Sequence, residues 1–113
     1  MDYNHPAYDL ALVRVIAKKG NVYMEERANR DSRNLGYFEK DVADCICCLT
    51  SSDFYKSIEC EAQSPNGRCK LKLRFDVYRP SDINSQGIPD DIYLKLRVTG
   101  GNNGLFVGSF KLQ

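Results

Sequence analysis

The spacing of apolar residues along the chain changes once, from the period of a helix to the period of a strand. In HPAYDLALVRVIAKKGN, Leu10, Leu12, Val13, Ile16 and Ala17 form one face at three-to-four spacing and predict a helix. Pro6 suits its first turn, and Lys18-Lys19-Gly20 reads as its end: cations at the negative pole, then a residue free to turn left-handed. NVYM is long enough for a short extended piece. EERANRDSRNLG is polar almost all round and predicts a second, exposed helix ending at Gly36. KDVADCICCL then places Val42, Cys45, Ile46 and Leu49 at i, i+3, i+4 and i+7, the strongest helical pattern in the chain.

Thr50-Ser51-Ser52-Asp53 has the form of a capping box, so a single helical turn is expected over 51–55, with Lys56 emerging as that turn unwinds into a strand. Beyond it the period is two. KLKLRFDVYRP puts Leu71, Leu73, Phe75 and Val77 on one face and Lys70, Lys72, Arg74, Asp76 and Tyr78 on the other. IYLKLRV repeats the device, with Ile92, Leu94, Leu96 and Val98 inward and Tyr93, Lys95 and Arg97 outward. A last strand, GLFVGSFKL, follows the turn TGGNNG; SPNG and SDINSQGIPDD are turn-rich connections. Helices first and strands last predict a single α+β domain over residues 1–113, its N-terminal helices packed against one face of a mainly antiparallel sheet. The other sheet face is left half polar.

Composition adds little until it is divided. The formal charge is +1 overall. Residues 1–66 carry eight Lys/Arg against eleven Asp/Glu, whereas residues 67–113 carry eight against four. A basic second half points to a polyanionic partner. No apolar run approaches the roughly 18–20 residues that span a bilayer, and MDYNHPAYDL lacks a basic, apolar leader, so the expected compartment is the cytoplasm. Five cysteines, an odd number, argue against a disulfide framework. Cys45 and Cys48, at i and i+3, read as core residues. A zinc site using CICC with Cys60 and Cys69 is a weaker alternative, since paired CxxC knuckles are missing.

The outward set Lys70, Lys72, Arg74, Tyr78, Tyr93, Lys95 and Arg97 mixes cations with aromatic rings, which is what unstacked RNA requires. His5 is the only histidine, so the chain offers no secure base for a Cys–His or Ser–His–Asp site. RNA cleavage needs neither histidine nor metal. The ribose 2′-OH attacks the adjacent phosphorus, a base takes its proton, an acid protonates the leaving 5′-oxygen, and cations neutralise the phosphorane. A lysine crowded by other cations is one route to such a base. No cofactor and no metal ligand set is expected.

The segments SSDFYKS, DVYRP, IYLKL and SFK, in this order, together with the LxxV helix ending in KKGNV and the closing FVGSFK, resemble the motility quorum-sensing regulator (MqsR) toxins. The resemblance runs over nearly the whole chain. It implies a RelE-like α+β fold and a toxin of a type II toxin–antitoxin system. Such a toxin is an endoribonuclease (an mRNA interferase) that cuts single-stranded mRNA without needing the ribosome, and a cognate antitoxin that also represses the operon neutralises it. Carried over by position, the family's active site falls on Lys56, Tyr93 and Lys111. Lys56 would be general base or phosphate clamp, Tyr93 proton donor or stacking platform, and Lys111 a transition-state cation. Arg74, Tyr78, Arg79 and Lys95 are the expected RNA contacts. The family's glutamine before DVYRP is Phe75 here, and a phenyl ring cannot make an amide's hydrogen bonds. The connections at 61–69 and 81–91 are longer than is usual for the family. The alternative is therefore a non-catalytic RNA- or protein-binding module of the same fold with a decayed site.

Overall fold

A computed structural model describes residues 2–63, 67–83, 87 and 89–113. The chain runs β1 (Asp2–Tyr3), α1 (Leu10–Lys18), β2 (Val22–Met24), α2 (Glu26–Asn34), α3 (Glu39–Cys47), a 3-10 turn (Ser51–Asp53), β3 (Phe54–Gln63), β4 (Lys70–Tyr78), β5 (Ser81–Ile83), β6 (Pro89–Val98), a second 3-10 turn (Gly100–Asn102) and β7 (Leu105–Leu112). It is an α+β fold. The sheet order is β1-β3-β4-β6-β7-β2, with β5 continuing alongside β6; every pairing is antiparallel except β2 with β7.

Local chemistry sets the helix limits. The Asp9 side chain accepts from the Ala11 backbone N–H and starts α1 there, so Pro6 lies ahead of the helix rather than in its first turn. The segment before α1 is held by the sheet instead: the buried Asp76 carboxylate accepts from the N–H groups of Ala7 and Tyr8 at 2.9 and 3.0 Å. Glu25 caps α2, and only Ala28 and Ser32 of that helix are buried. These two small side chains let α2 lie close against β7. In α3, Val42, Cys45 and Ile46 are buried, with Leu49 just beyond, as their spacing predicts. Cys48 is exposed, against expectation, because it is the C-cap residue, where the chain leaves the helix.

The core lies between the helices and one sheet face. Val13, Ile16, Val42, Ile46 and Leu49 meet Ile92, Leu94, Leu96, Val98, Leu105, Val107 and Phe110. Burying these aliphatic and aromatic groups is the main force holding the two layers together, at roughly 1.5–3 kcal/mol for each large side chain. Among the described residues no helix is long and apolar enough to cross a membrane. Nor, among those residues, do three His, Cys, Asp or Glu side chains gather as a metal ion would require.

Alternation along β6 is as read from the sequence. Along β4 it is correct in period but reversed in face. Antiparallel pairing sets Asp76 opposite Leu96, Val77 opposite Lys95 and Tyr78 opposite Leu94. Residues facing each other across an antiparallel pair point to the same side. Phe75 and Val77 therefore share the face of Lys95 and Arg97, while Arg74, Asp76 and Tyr78 turn towards the helices.

Candidate active site

The face opposite the core is organised in cross-strand rows, with α2 bordering it beside β7. One row runs Lys56, Val77, Lys95, Ser109 across β3, β4, β6 and β7. The next contains Tyr93 and Lys111, which are paired directly. The β4–β6 register is the same at Asp76–Leu96 as at Ser81–Asp91, so Arg79 falls opposite Tyr93 and joins this second row. At about 4.8 Å between strands and about 3.4 Å per residue, Lys56 and Lys111 have Cα atoms about 16 Å apart. Two extended lysine side chains can close most of that gap.

The turn before β3 aims Lys56. The Asp53 carboxylate accepts from the Thr50 N–H at 2.8 Å, the reach-back bond of a capping box, and the Asp53 N–H donates to the Thr50 carbonyl at 3.0 Å, closing the turn. The turn closes over 51–53, two residues sooner than expected, and the strand begins at Phe54. An irregularity between Phe54 and Lys56 follows: Phe54 pairs with Tyr78 and Lys56 with Val77, leaving Tyr55 as the extra residue. The Tyr55 ring is thereby exposed beside Lys56, whose ammonium is 5.3 Å from the ring centroid, and beneath the Arg79 guanidinium at 4.6 Å. Arg79 Nε also donates to Gln113 Oε1 at 2.6 Å. The Lys56 ammonium lies 3.4 Å from an Asp2 carboxylate oxygen, supplied by β1.

At the other side, Lys111 sits over the Tyr93 ring at 5.6 Å and Lys95 over the Phe75 ring at 4.9 Å. Lys95 and Lys111 line one cleft of about 400 Å³ with Glu25, Asp31 and Ser109. That volume lies within the range of ordinary small-molecule sites, roughly 300–1,000 Å³. Phe75 is only 6% exposed and packs near Phe106 on the site face, not against the helices.

Five of the seven residues singled out in the sequence thus come together on one face: Lys56, Arg79, Tyr93, Lys95 and Lys111. Two do not. Tyr78 is 1% exposed, opposite Leu94 and edge-on to Phe54, and burial pushes its phenol up to about 12. It offers no surface for stacking. Arg74 points the other way as well, its guanidinium over the Tyr3 ring at 3.8 Å and donating to Ser57 Oγ at 2.8 Å. Both departures have one cause, the β4–β6 register. The residue that strict alternation missed is Tyr55, since the irregularity that exposes it breaks the period. The adjacent aromatic pair Phe54-Tyr55 after a capped turn was the available signal.

No curated protein matches the chain. The family model for "Motility quorum-sensing regulator, toxin of MqsA" matches residues 5–111, a span that takes in α1, the capped turn, both rows of the site and all but the end of β7. The chain belongs to this family: it is a toxin of a toxin–antitoxin system whose partner is an MqsA-type antitoxin.

Proposed function

We propose that this toxin is a metal-independent endoribonuclease that cuts single-stranded mRNA without the ribosome, in the cytoplasm, and so stops translation and growth. The observation that carries the reading is the convergence of Lys56, Tyr93, Lys95 and Lys111 on one open sheet face, two of the amines lining a single cleft. Fixed cations around a phosphodiester stabilise the extra charge of the phosphorane. The Asp2 carboxylate beside Lys56 occupies the place an RNA phosphate oxygen would take, and substrate binding displaces it.

In the proposed reaction Lys56 clamps the phosphate or, as the free amine, takes the proton of the 2′-OH. The 2′-oxygen bonds to phosphorus, the bond from phosphorus to the 5′-oxygen breaks, and Tyr93 delivers a proton to that oxygen. Lys95 and Lys111 neutralise the phosphorane. Arg79 holds a neighbouring phosphate, and Tyr55, rather than Tyr78, is the platform for an unstacked base. The products are a 2′,3′-cyclic phosphate and a 5′-hydroxyl. DNA, without the 2′-OH, is not a substrate.

Phe75 supports a second reading, a non-catalytic RNA-binding module. One experiment separates the two. Purified protein is incubated in EDTA with single-stranded RNA, alongside Lys56→Ala, with thermal melts of both. The nuclease reading expects cyclic-phosphate ends from wild type, none from Lys56→Ala, loss of growth inhibition in the variant, and matching melts. Folded wild type that leaves every RNA intact and allows growth overturns it. Retention of uncut RNA that falls steeply with salt then establishes the binding module.

A further inference from the structure

Strands β3 and β4 stay paired beyond the point where their neighbours stop. β6 meets β4 only at Asp76–Tyr78 and β1 meets β3 only at Ser57 and Ile58, whereas β3–β4 pairing runs out to Gln63 opposite Lys70. Among the described residues, the pairs from Glu59–Arg74 outward form a two-stranded ribbon with no third strand beside it, only Tyr3 and Tyr8 reaching its first pair. The molecule is correspondingly long, 47 × 27 × 26 Å. The ribbon's two faces differ. Glu59, Arg74, Glu61 and Lys72 occupy one; Cys60, Leu73, Ala62 and Leu71 occupy the other and continue the line of Ile58 and Phe75 from the active-site face. Leu71 is 41% exposed, and none of these four apolar residues belongs to the core or packs against it. A lone two-stranded ribbon is marginal in water, and one with a bare apolar face gains by being covered.

We propose that this apolar ribbon face is the docking surface for the cognate antitoxin, through a segment carrying apolar side chains at one end and carboxylates at the other. The stripe itself covers only roughly 150 Å², at about 3.4 Å per residue and one ribbon's width. A stable partner buries about 800 Å² on each side, so the occupant must extend further. On the same face the adjoining ground is the Lys56 and Lys95 side chains, which flank the fully buried Val77. An occupant that satisfies both regions is apolar over the ribbon and acidic over the lysines. A second copy of this chain fits poorly: its ribbon answers the stripe, but the same face offers Lys56 and Lys95 again, so like charge meets like charge over the site. RNA answers the lysines but offers nothing to Leu71 and Leu73. An antitoxin seated this way lies over Lys56 and Lys95, so docking and loss of RNA access are one event.

The test is Leu71→Glu, with Leu73→Ser as a milder second variant, each checked by thermal melt. Calorimetric titration with the purified antitoxin encoded beside the toxin is expected to show binding weakened at least thirtyfold by Leu71→Glu. Coexpressed antitoxin should then fail to rescue growth, while the free variant keeps its toxicity. The calorimetric arm stands whether or not the chain cuts RNA. Antitoxin affinity unchanged in both folded variants overturns the proposal. So does a wild-type dimer that Leu71→Glu splits with antitoxin affinity intact, or a loss confined to RNA retention. If Leu71→Glu does not fold, the same outcomes are read from Leu73→Ser.

Discussion

Gly108→Ala isolates the placement of Lys95. Between the pairs Lys95–Ser109 and Leu96–Val107, β7 carries one residue more than β6, and Gly108 is that residue. A Cβ there would stand 3.0 Å from Lys95 Cε and 3.2 Å from Phe75 Cε1, both tighter than ordinary contact. The Phe75 ring is buried and has little freedom, whereas Lys95 Cε is near the end of a flexible stem, so the lysine gives way. It leaves the Phe75 ring, a cation–π contact worth about 0.5–1 kcal/mol at a partly exposed site. It also loses its aim into the cleft it shares with Lys111. Stability should fall by no more than about 1 kcal/mol. A charge-assisted phosphate contact is worth about 1.5 kcal/mol, and 1.36 kcal/mol is tenfold in rate. We therefore expect kcat/KM on a fluorescent single-stranded RNA to drop about tenfold with the melt nearly unchanged. Lys95→Ala should lose a similar factor, and combining the two should cost little more than either alone, since both remove one contact. Full activity in Gly108→Ala, or a double variant whose loss is the product of the single losses, refutes the reasoning.

Two further predictions concern the core. The Tyr78 hydroxyl is buried without a hydrogen-bond partner among the described residues. Tyr78→Phe should therefore raise stability by about 1 kcal/mol in denaturant melts and leave RNA affinity unchanged; a drop in affinity would return Tyr78 to the RNA surface. Burial also pushes the Cys45 thiol up to about 12, as it does the Tyr78 phenol. In the unfolded chain these groups ionise near 9 and 10, so above pH 9 the native state holds protons the unfolded state has released. Their contribution is complete below pH 9 and is lost as pH climbs towards 12, at up to about 1.4 kcal/mol per pH unit for each group. Melts at pH 8 to 11 should show stability falling only above 9, and native Cys45 should resist alkylation until the chain unfolds.

What a single segment decides is legible in the sequence; what pairing between segments decides is not. Val42, Cys45, Ile46 and Leu49 declare a buried helix face without reference to anything else, and all four are buried. Ile92, Leu94, Leu96 and Val98 do the same for β6. In β4 both alternating sets contain large hydrophobic residues, Leu71, Leu73, Phe75 and Val77 in one and Tyr78 in the other. Parity alone cannot say which set meets the helices, and a one-residue change of register exchanges them. What fixes the register is distant in sequence: Asp76 must face the helix side to take the N–H groups of Ala7 and Tyr8. The same limit explains Tyr55 and Gly108. Each owes its position to an irregularity defined by two strands together, so no period along one strand contains it.

The register also bears on what Phe75 does at the position where the resemblance to the family implies glutamine. The position is nearly closed to solvent and faces the site between Ile58 and the end of Lys95. An amide there must find partners for both ends or cost a few kcal/mol of desolvation. A phenyl ring carries no such requirement, and its face attracts the Lys95 ammonium, which Gly108 leaves room to lie across it. The exchange removes a neutral donor and steadies a charged one. Hydrogen bonds from a charged donor to a phosphate are roughly twice as strong as neutral ones, so on the proposed nuclease reading the site does without the amide and keeps its grip on the phosphate. On this view the phenylalanine and the extra glycine of β7 form one device, each of little use to RNA without the other.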